Sequence, residues 1–228
     1  FGILNGIDYE TNDPSKDVFL AKNFSLNNLS PREDNKLALE KHFGLPEGKE
    51  NFVLGIVSRL TRQKGFDLLE SIIEQFLKYT KAQLIVVGTG DGTLMDFFHE
   101  LEAKLPKQVR AHLQFDDTVP HLVFAGADVV IIPSLFEPSG LIQMEAMRFG
   151  AVPVARKVGG LADTVEDFDP AKDTGTGFLF EEHDPTSLLI ALVRSYVNWR
   201  HQDDWKRLQK RVMEQDFSWD RSAQEYVE

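Results

Sequence analysis

Short apolar runs recur along the chain, and most are followed by a segment whose apolar positions repeat every three or four residues. "NFVLGIVS" (51–58), "QLIVVG" (83–88), "VRAHLQF" (109–115), "DVVIIP" (128–133), "AVPVA" (151–155) and "GFLF" (177–180) read as strands. Near-continuous apolar runs of this length suit strands covered on both faces. Helical spacing is expected over 66–79, 93–104, 119–125 and 140–149. Ser30-Pro31-Arg32-Glu33 has the form of a capping box with proline at the first helical position, opening a helix that stops at Gly44. Gly159-Gly160 opens another short helix. Asp184-Pro185 is an N-cap signal for a helix reaching Trp199, with two more behind it. Strand and helix alternating in this way predict an α/β fold with a doubly wound parallel sheet.

The first 29 residues are rich in Asn, Asp, Ser and Pro with weak periodicity, and read as a linker. Residues 30–215 carry the alternating pattern, and 216–228 read as a C-terminal helix still in progress. A start at Phe1 and an unfinished last helix are expected of a piece cut from a longer polypeptide. Among 228 residues 42% are hydrophobic, enough for a substantial core, and cysteine is absent, which excludes disulfides and thiolate chemistry. A reducing compartment fits that, either bacterial cytoplasm or plastid stroma. The net charge of −11 argues against nucleic acid as a partner but allows a small anionic ligand where cations gather locally. The apolar run 125–132 is too short and too broken to span a membrane.

In a sheet of this kind ligands bind beyond the carboxyl ends of the strands, so the loops there are the places to search. After the first strand, "RLTRQK" holds three cations in six residues, with Arg59 and Lys64 nearest the strand tip and the helix start. A helix N-terminus prefers anions, which favours a bound negative group over a solvated turn. Gly88 and Gly90 follow the second strand, where a tight structural turn and close backbone approach to a ligand explain them equally well. Phe115 at the third tip is either core or a platform for a nucleobase.

"SLFEPSGLIQMEAMRFG" (134–150) follows the fourth strand and places Glu137 and Glu145 in apolar or small company. The N–H groups of Ser139, Gly140 and Leu141 at the helix start form a natural phosphate cradle. Glu145 either pairs with Arg148 or Arg156, or joins Glu137 in accepting hydrogen bonds from hydroxyls. Two carboxylates flanking a phosphate cradle suit a nucleotide sugar.

"SRLTRQKGFDLL", "GTGDG", "AGADVVIIPSLFEPSGLIQMEAMRFGAVPVARKVGGLADTV" and "DFSW" resemble the C-terminal half of bacterial glycogen synthases and plant starch synthases, and "GILNGID" resembles the segment leading into that half. The resemblance runs from residue 2 to the end. It implies a Rossmann-like domain, the C-terminal half of a GT-B type glycosyltransferase, that moves glucose with retention from ADP-glucose or UDP-glucose to the non-reducing end of an α-1,4-glucan. A non-catalytic nucleotide-sugar sensor and a sucrose- or trehalose-type retaining transferase are the alternatives.

By the same resemblance, Arg59 and Lys64 hold the donor phosphates and Glu137 meets the hydroxyls of the transferred glucose. Ser139, Gly140 and Leu141 contact glucose and phosphate through their N–H groups, and Phe115 stacks on the base. Ser139 stands where those synthases usually carry cysteine, and Ile142 where they carry threonine. Glu145 matches the second acidic residue of retaining glycosyltransferases more broadly, the one that binds the nucleotide ribose. The N-terminal domain's Lys-x-Gly-Gly-Leu-Gly-Asp stretch and histidine are absent, so the chain is expected to bind donor without completing an active site. No metal or other cofactor is expected, the sequence being read as containing no Asp-x-Asp metal motif.

Overall fold

In the computed structural model, which describes residues 3–227, six strands form one parallel sheet. They are β1 (Val53–Val57), β2 (Gln83–Val87), β3 (Val109–His112), β4 (Val129–Ile132), β5 (Val152–Arg156) and β6 (Phe178–Phe180). The helices are α1 (Arg32–His42), α2 (Ile73–Thr80), α3 (Gly92–Lys104), α4 (Val119–Gly126), α5 (Ile142–Arg148), α6 (Gly159–Thr164), α7 (Pro185–Trp199), α8 (Gln202–Met213) and α9 (Trp219–Val227). The strand order is β3-β2-β1-β4-β5-β6, and every pairing is parallel. The fold is the doubly wound α/β sheet that the apolar runs predict. Winding reverses between β1 and β4, and a crevice opens at the carboxyl ends of strands at such a switch point.

Every residue of β1, β2 and β4 is buried, which accounts for their unbroken apolar sequence. Edge strand β3 buries only Val109 fully and ends at His112, short of the expected Phe115. With one neighbour, it has less burial to hold its last residues in extended form.

Other boundaries move for local reasons. Ser30 makes no cap; its hydroxyl donates to Asn28 Oδ1, and Pro31 itself is the N-cap of α1. The expected helix over 66–79 is a 3₁₀ turn, Phe66–Leu69, followed by α2. The expected helix over 140–149 begins only at Ile142, because Gly140 is left-handed at φ +66°. Asp184 caps α7 as expected, accepting from Thr186 N at 2.9 Å and Ser187 N at 3.1 Å.

Residues 3–29 contain no helix and no named strand, but they pack onto the domain. Phe24 is 3% exposed, and His121 Nδ1 lies 2.6 Å from Asp17 Oδ2. Ile7 N donates to Phe217 O just before α9.

Candidate functional site

The loops after β1 and β4 face each other across the switch point and are tied together. Gln63 Nε2 donates to Phe136 O at 3.1 Å, and Leu135 N donates to Gln63 O at 2.9 Å. Arg156 Nη1, from β5, donates to Leu135 O at 2.9 Å. On this frame Lys64 Nζ forms a direct ion pair with Glu137 Oε2. Ser134 Oγ donates to the same carboxylate oxygen at 3.0 Å. Glu137 is 7% exposed, so its charge is stabilised by a cation and a hydroxyl and not by water. Arg59 is exposed, and its side chain has no hydrogen-bond or ion-pair partner among the described residues.

Below Glu137 the loop rests on α6 through two glycines. A Cβ on Gly159 would sit 2.1 Å from Glu137 O, and one on Gly160 would sit 1.8 Å from Ser139 O. Gly160 N also donates to Glu137 O at 3.0 Å. Only glycine allows this approach. The N–H groups of Ser139, Gly140 and Leu141 donate to no backbone or side-chain acceptor among the described residues. Gln143 holds their turn from inside, its Nε2 donating to Gly140 O at 2.8 Å and to Thr164 Oγ1 at 3.0 Å. Ser139 Oγ is sealed off without a partner.

Gly88 and Gly90 have a packing reason. A Cβ on Gly88 (φ +147°) would lie 1.8 Å from Ser58 O, and one on Gly90 would lie 2.2 Å from Leu60 O. Leu60 N donates to Thr89 O and Asp91 N to Leu60 O, so the second loop braces the first. Phe115 is 79% exposed on the loop after β3, which excludes the core reading. Asp116 fixes that loop, accepting from Thr118 N at 2.8 Å and Val119 N at 2.9 Å. These bonds hold its carboxyl at about 2.

Glu145 is half-buried in α5, and its side chain has no hydrogen bond or ion pair among the described residues. Both arginines that could have neutralised it are committed elsewhere. Arg148 donates to Asn12 O at 3.1 Å and lies over the Tyr9 ring, while Arg156 binds Glu181 O and Leu135 O. Burial therefore raises the Glu145 carboxyl, with His121 the charge that partly offsets it. It does not line the recess formed by Lys64, Ser134, Glu137 and Gly140.

An Asp-x-Asp spacing does occur, once, at Asp167-Phe168-Asp169, which corrects the sequence reading that none is present. It lies beside edge strand β6, away from the crevice. Arg194 Nη2 contacts both Asp167 oxygens, and Lys172 pairs with Asp169 at 3.0 Å. No group of three or more metal-ligating side chains occurs among the described residues. No helix among them is long and apolar enough to cross a membrane.

Sequence reasoning named Lys64 and Glu137 separately but missed their union, and it missed the supports Ser134, Gln143, Thr164 and Gln63. The single forward signal for those supports was the Gly159-Gly160 pair, whose close approach requires a backbone to lie against it.

Residues 39–211 match the family described as Glycosyl transferases group 1. The chain is 41% identical over 226 residues to a glycogen synthase of Trichodesmium erythraeum, covering 99% of the chain and 49% of that protein. It is 42% identical to glycogen synthase 1 of Synechocystis, covering 47% of it. The chain thus spans about half the length of these relatives. The catalytic domain of starch synthase IV from Arabidopsis thaliana, bound to ADP and acarbose, superposes with a TM-score of 0.93 at 36% identity, covering 100% of this chain and 48% of that one. The doubly wound sheet, the crevice at its switch point and the match over 39–211 agree, and the chain belongs to the group 1 glycosyltransferases.

Proposed function

We propose that this chain is the donor-binding half of a retaining glycosyltransferase that moves glucose from ADP-glucose or UDP-glucose to the non-reducing end of an α-1,4-glucan. A second domain of the same polypeptide closes the crevice and completes the active site, in the cytoplasm or plastid stroma. The observation that carries this reading is the Lys64–Glu137 pair across the switch point, with Arg59 unpaired beside it. Lys64 and Arg59 supply positive charge where a diphosphate departs, a developing charge that fixed donors stabilise better than water does. Glu137, held by Lys64 and Ser134, keeps free lone pairs for the hydroxyls of the sugar. The N–H groups of Ser139, Gly140 and Leu141, which have no acceptor among the described residues, are left for glucose and phosphate. Phe115 offers a flat exposed surface to the base, and Glu145 an unspent carboxylate to the ribose diol. The likeness to a starch synthase domain carrying ADP supports the nucleotide assignment. No metal has a part in this scheme.

The test has two arms. ADP and UDP are titrated calorimetrically into this chain and its Lys64→Ala variant; equal affinity in both sinks the phosphate role. The complete polypeptide is then assayed with glucan and each nucleotide sugar. Transfer to fructose or a sugar phosphate in place of glucan would move the assignment to a sucrose- or trehalose-type enzyme.

A further inference from the structure

At the opposite end of the sheet, where the strands begin, a cavity of about 210 Å³ opens between α1 and α8. Its wall residue Asp128 directly precedes β4 and accepts from Val53 N at the start of β1 at 2.9 Å. A single water needs only about 10–15 Å³, so the space admits a ligand of several atoms. Four cations line it, Arg32, Lys36, Lys49 and Lys206, against two carboxylates, Glu33 and Asp128. That excess runs against the sign of the whole chain, whose net charge is −11.

The inner wall holds polar groups more than nine-tenths buried and not fully satisfied. Arg32 is 6% exposed and Gln209 8%. Arg32 donates through Nε to Phe149 O at 2.7 Å and through Nη2 to Phe124 O and Ala127 O at 2.9 and 2.8 Å. Its Nη1 has no partner among the described residues, and no carboxylate pairs with it. Burial pushes the guanidinium down to about 10, with Asp128 only partly opposing. The Gln209 amide likewise makes no hydrogen bond. Neither group is among the polar atoms sealed from solvent without a partner, and both residues line the cavity. Lys36 is committed to Asp128 at 2.8 Å and to Asn51 O. At the mouth, Lys49 and Lys206 share Glu33, at 2.9 and 3.6 Å.

We propose that this cavity binds a phosphate group, as the free ion or as a small phosphate monoester, through Arg32 Nη1 and the Gln209 amide, with Lys206 closing the mouth. A buried guanidinium without an anion is costly, and an oxyanion accepting charge-assisted hydrogen bonds offsets that cost. Because Nε and Nη2 are spent on carbonyls, the contact is made through one nitrogen and not through a fork. The site is separate from the strand-tip crevice, lying a five-residue strand away, about 17 Å at ~3.3 Å per residue.

The experiment uses ¹⁵N-labelled chain carrying Lys64→Met with Glu137→Gln, which weakens the crevice without leaving a buried charge unpaired. Inorganic phosphate and glycerol phosphate are titrated separately while the indole N–H signal of Trp205, a wall residue, is followed and identified by its loss in Trp205→Phe. A saturable shift is expected, with affinity falling about tenfold or more in Gln209→Leu and in Lys206→Glu, both still folded by circular dichroism. A tighter response to one probe assigns the source, ester or free ion. A linear, unsaturating drift, or unchanged affinity in both variants, overturns the proposal and leaves the cavity to water.

Discussion

Lys64 and Glu137, 73 residues apart in sequence, meet in a direct ion pair with side chains only 16% and 9% exposed. Removing one partner of a buried pair leaves an uncompensated charge, at a cost of about 3–5 kcal/mol. Lys64→Ala should therefore lower both the stability of this chain and the turnover of the complete polypeptide, the latter by about 10²–10³-fold. Lys64→Met with Glu137→Gln should recover much of the stability and none of the turnover. Denaturant melts beside steady-state assays separate the two; turnover within a few-fold of wild type would remove Lys64 from the chemistry.

Phe115→Ala should leave the melting transition almost unmoved, since an exposed side chain contributes within about ±0.5 kcal/mol. Nucleotide affinity should still drop by about 1–3 kcal/mol, the usual worth of a base stacked on an aromatic ring. Calorimetry with ADP and with free phosphate tests this, and phosphate binding should not change.

For Glu145 the signs of stability and binding oppose each other. Its carboxyl is raised in the folded chain, so the folded state holds the proton more tightly than the unfolded state. The group's contribution is most favourable below the unfolded value of about 4.3 and declines as pH rises past it. Glu145→Gln should raise the melting temperature at neutral pH, by about 2–4 °C per kcal/mol relieved, and the gain should vanish in acid. Affinity for ADP or UDP should fall about tenfold or more, through loss of a charged acceptor. A variant that is more stable and binds as well would make Glu145 a fault in the core and not a ligand.

Asp116 behaves in the reverse sense. Its folded value of about 2 lies below the usual carboxylate range because it accepts from Val119 N and Thr118 N. The stability it contributes is complete above the unfolded value of about 3.9 and is lost as pH falls towards 2. Asp116→Asn should be less stable than wild type at pH 7 and should lose less between pH 4 and 2. Parallel acid titrations by circular dichroism would show the curves converging.

Gly160→Ala should displace the Ser139 carbonyl, because the added carbon would lie 1.8 Å from it and the obstacle is backbone. Loss of donor binding is expected together with a lower melting temperature. Gly92→Ala serves as control, its Cβ meeting nothing within 4 Å.

Most of the sheet could be read from the sequence because strands buried on both faces must be apolar throughout, as β1, β2 and β4 are. Ends were harder. Ser30 had a competing acceptor in Asn28, Gly140 turned left-handed, and β3 lacked a second neighbour to hold its tip. Residue type singled out Lys64, Glu137 and Glu145, since charge in apolar surroundings needs a reason, though Glu145 does not line the recess that holds the other two. Their partners were hidden because Lys64 with Glu137, Gln63 with Phe136 and Arg156 with Leu135 meet only after the strands align. Gly88 and Gly90 carried a true signal with two causes, and the structure supplies the packing one.

The bond from Ile7 N to Phe217 O has a bearing on the order of events during folding. Nearby, Phe217 N donates to the Tyr9 hydroxyl, a contact spanning 208 residues. Closing so long a loop has an entropy cost that local contacts do not meet. During synthesis this bond cannot form until Phe217 has been made, long after Ile7 itself. The amide of Ile7 is thus a reporter of that late docking: its protection from hydrogen exchange should arrive after that of β1 and β4, and should be the first lost when α9 is loosened.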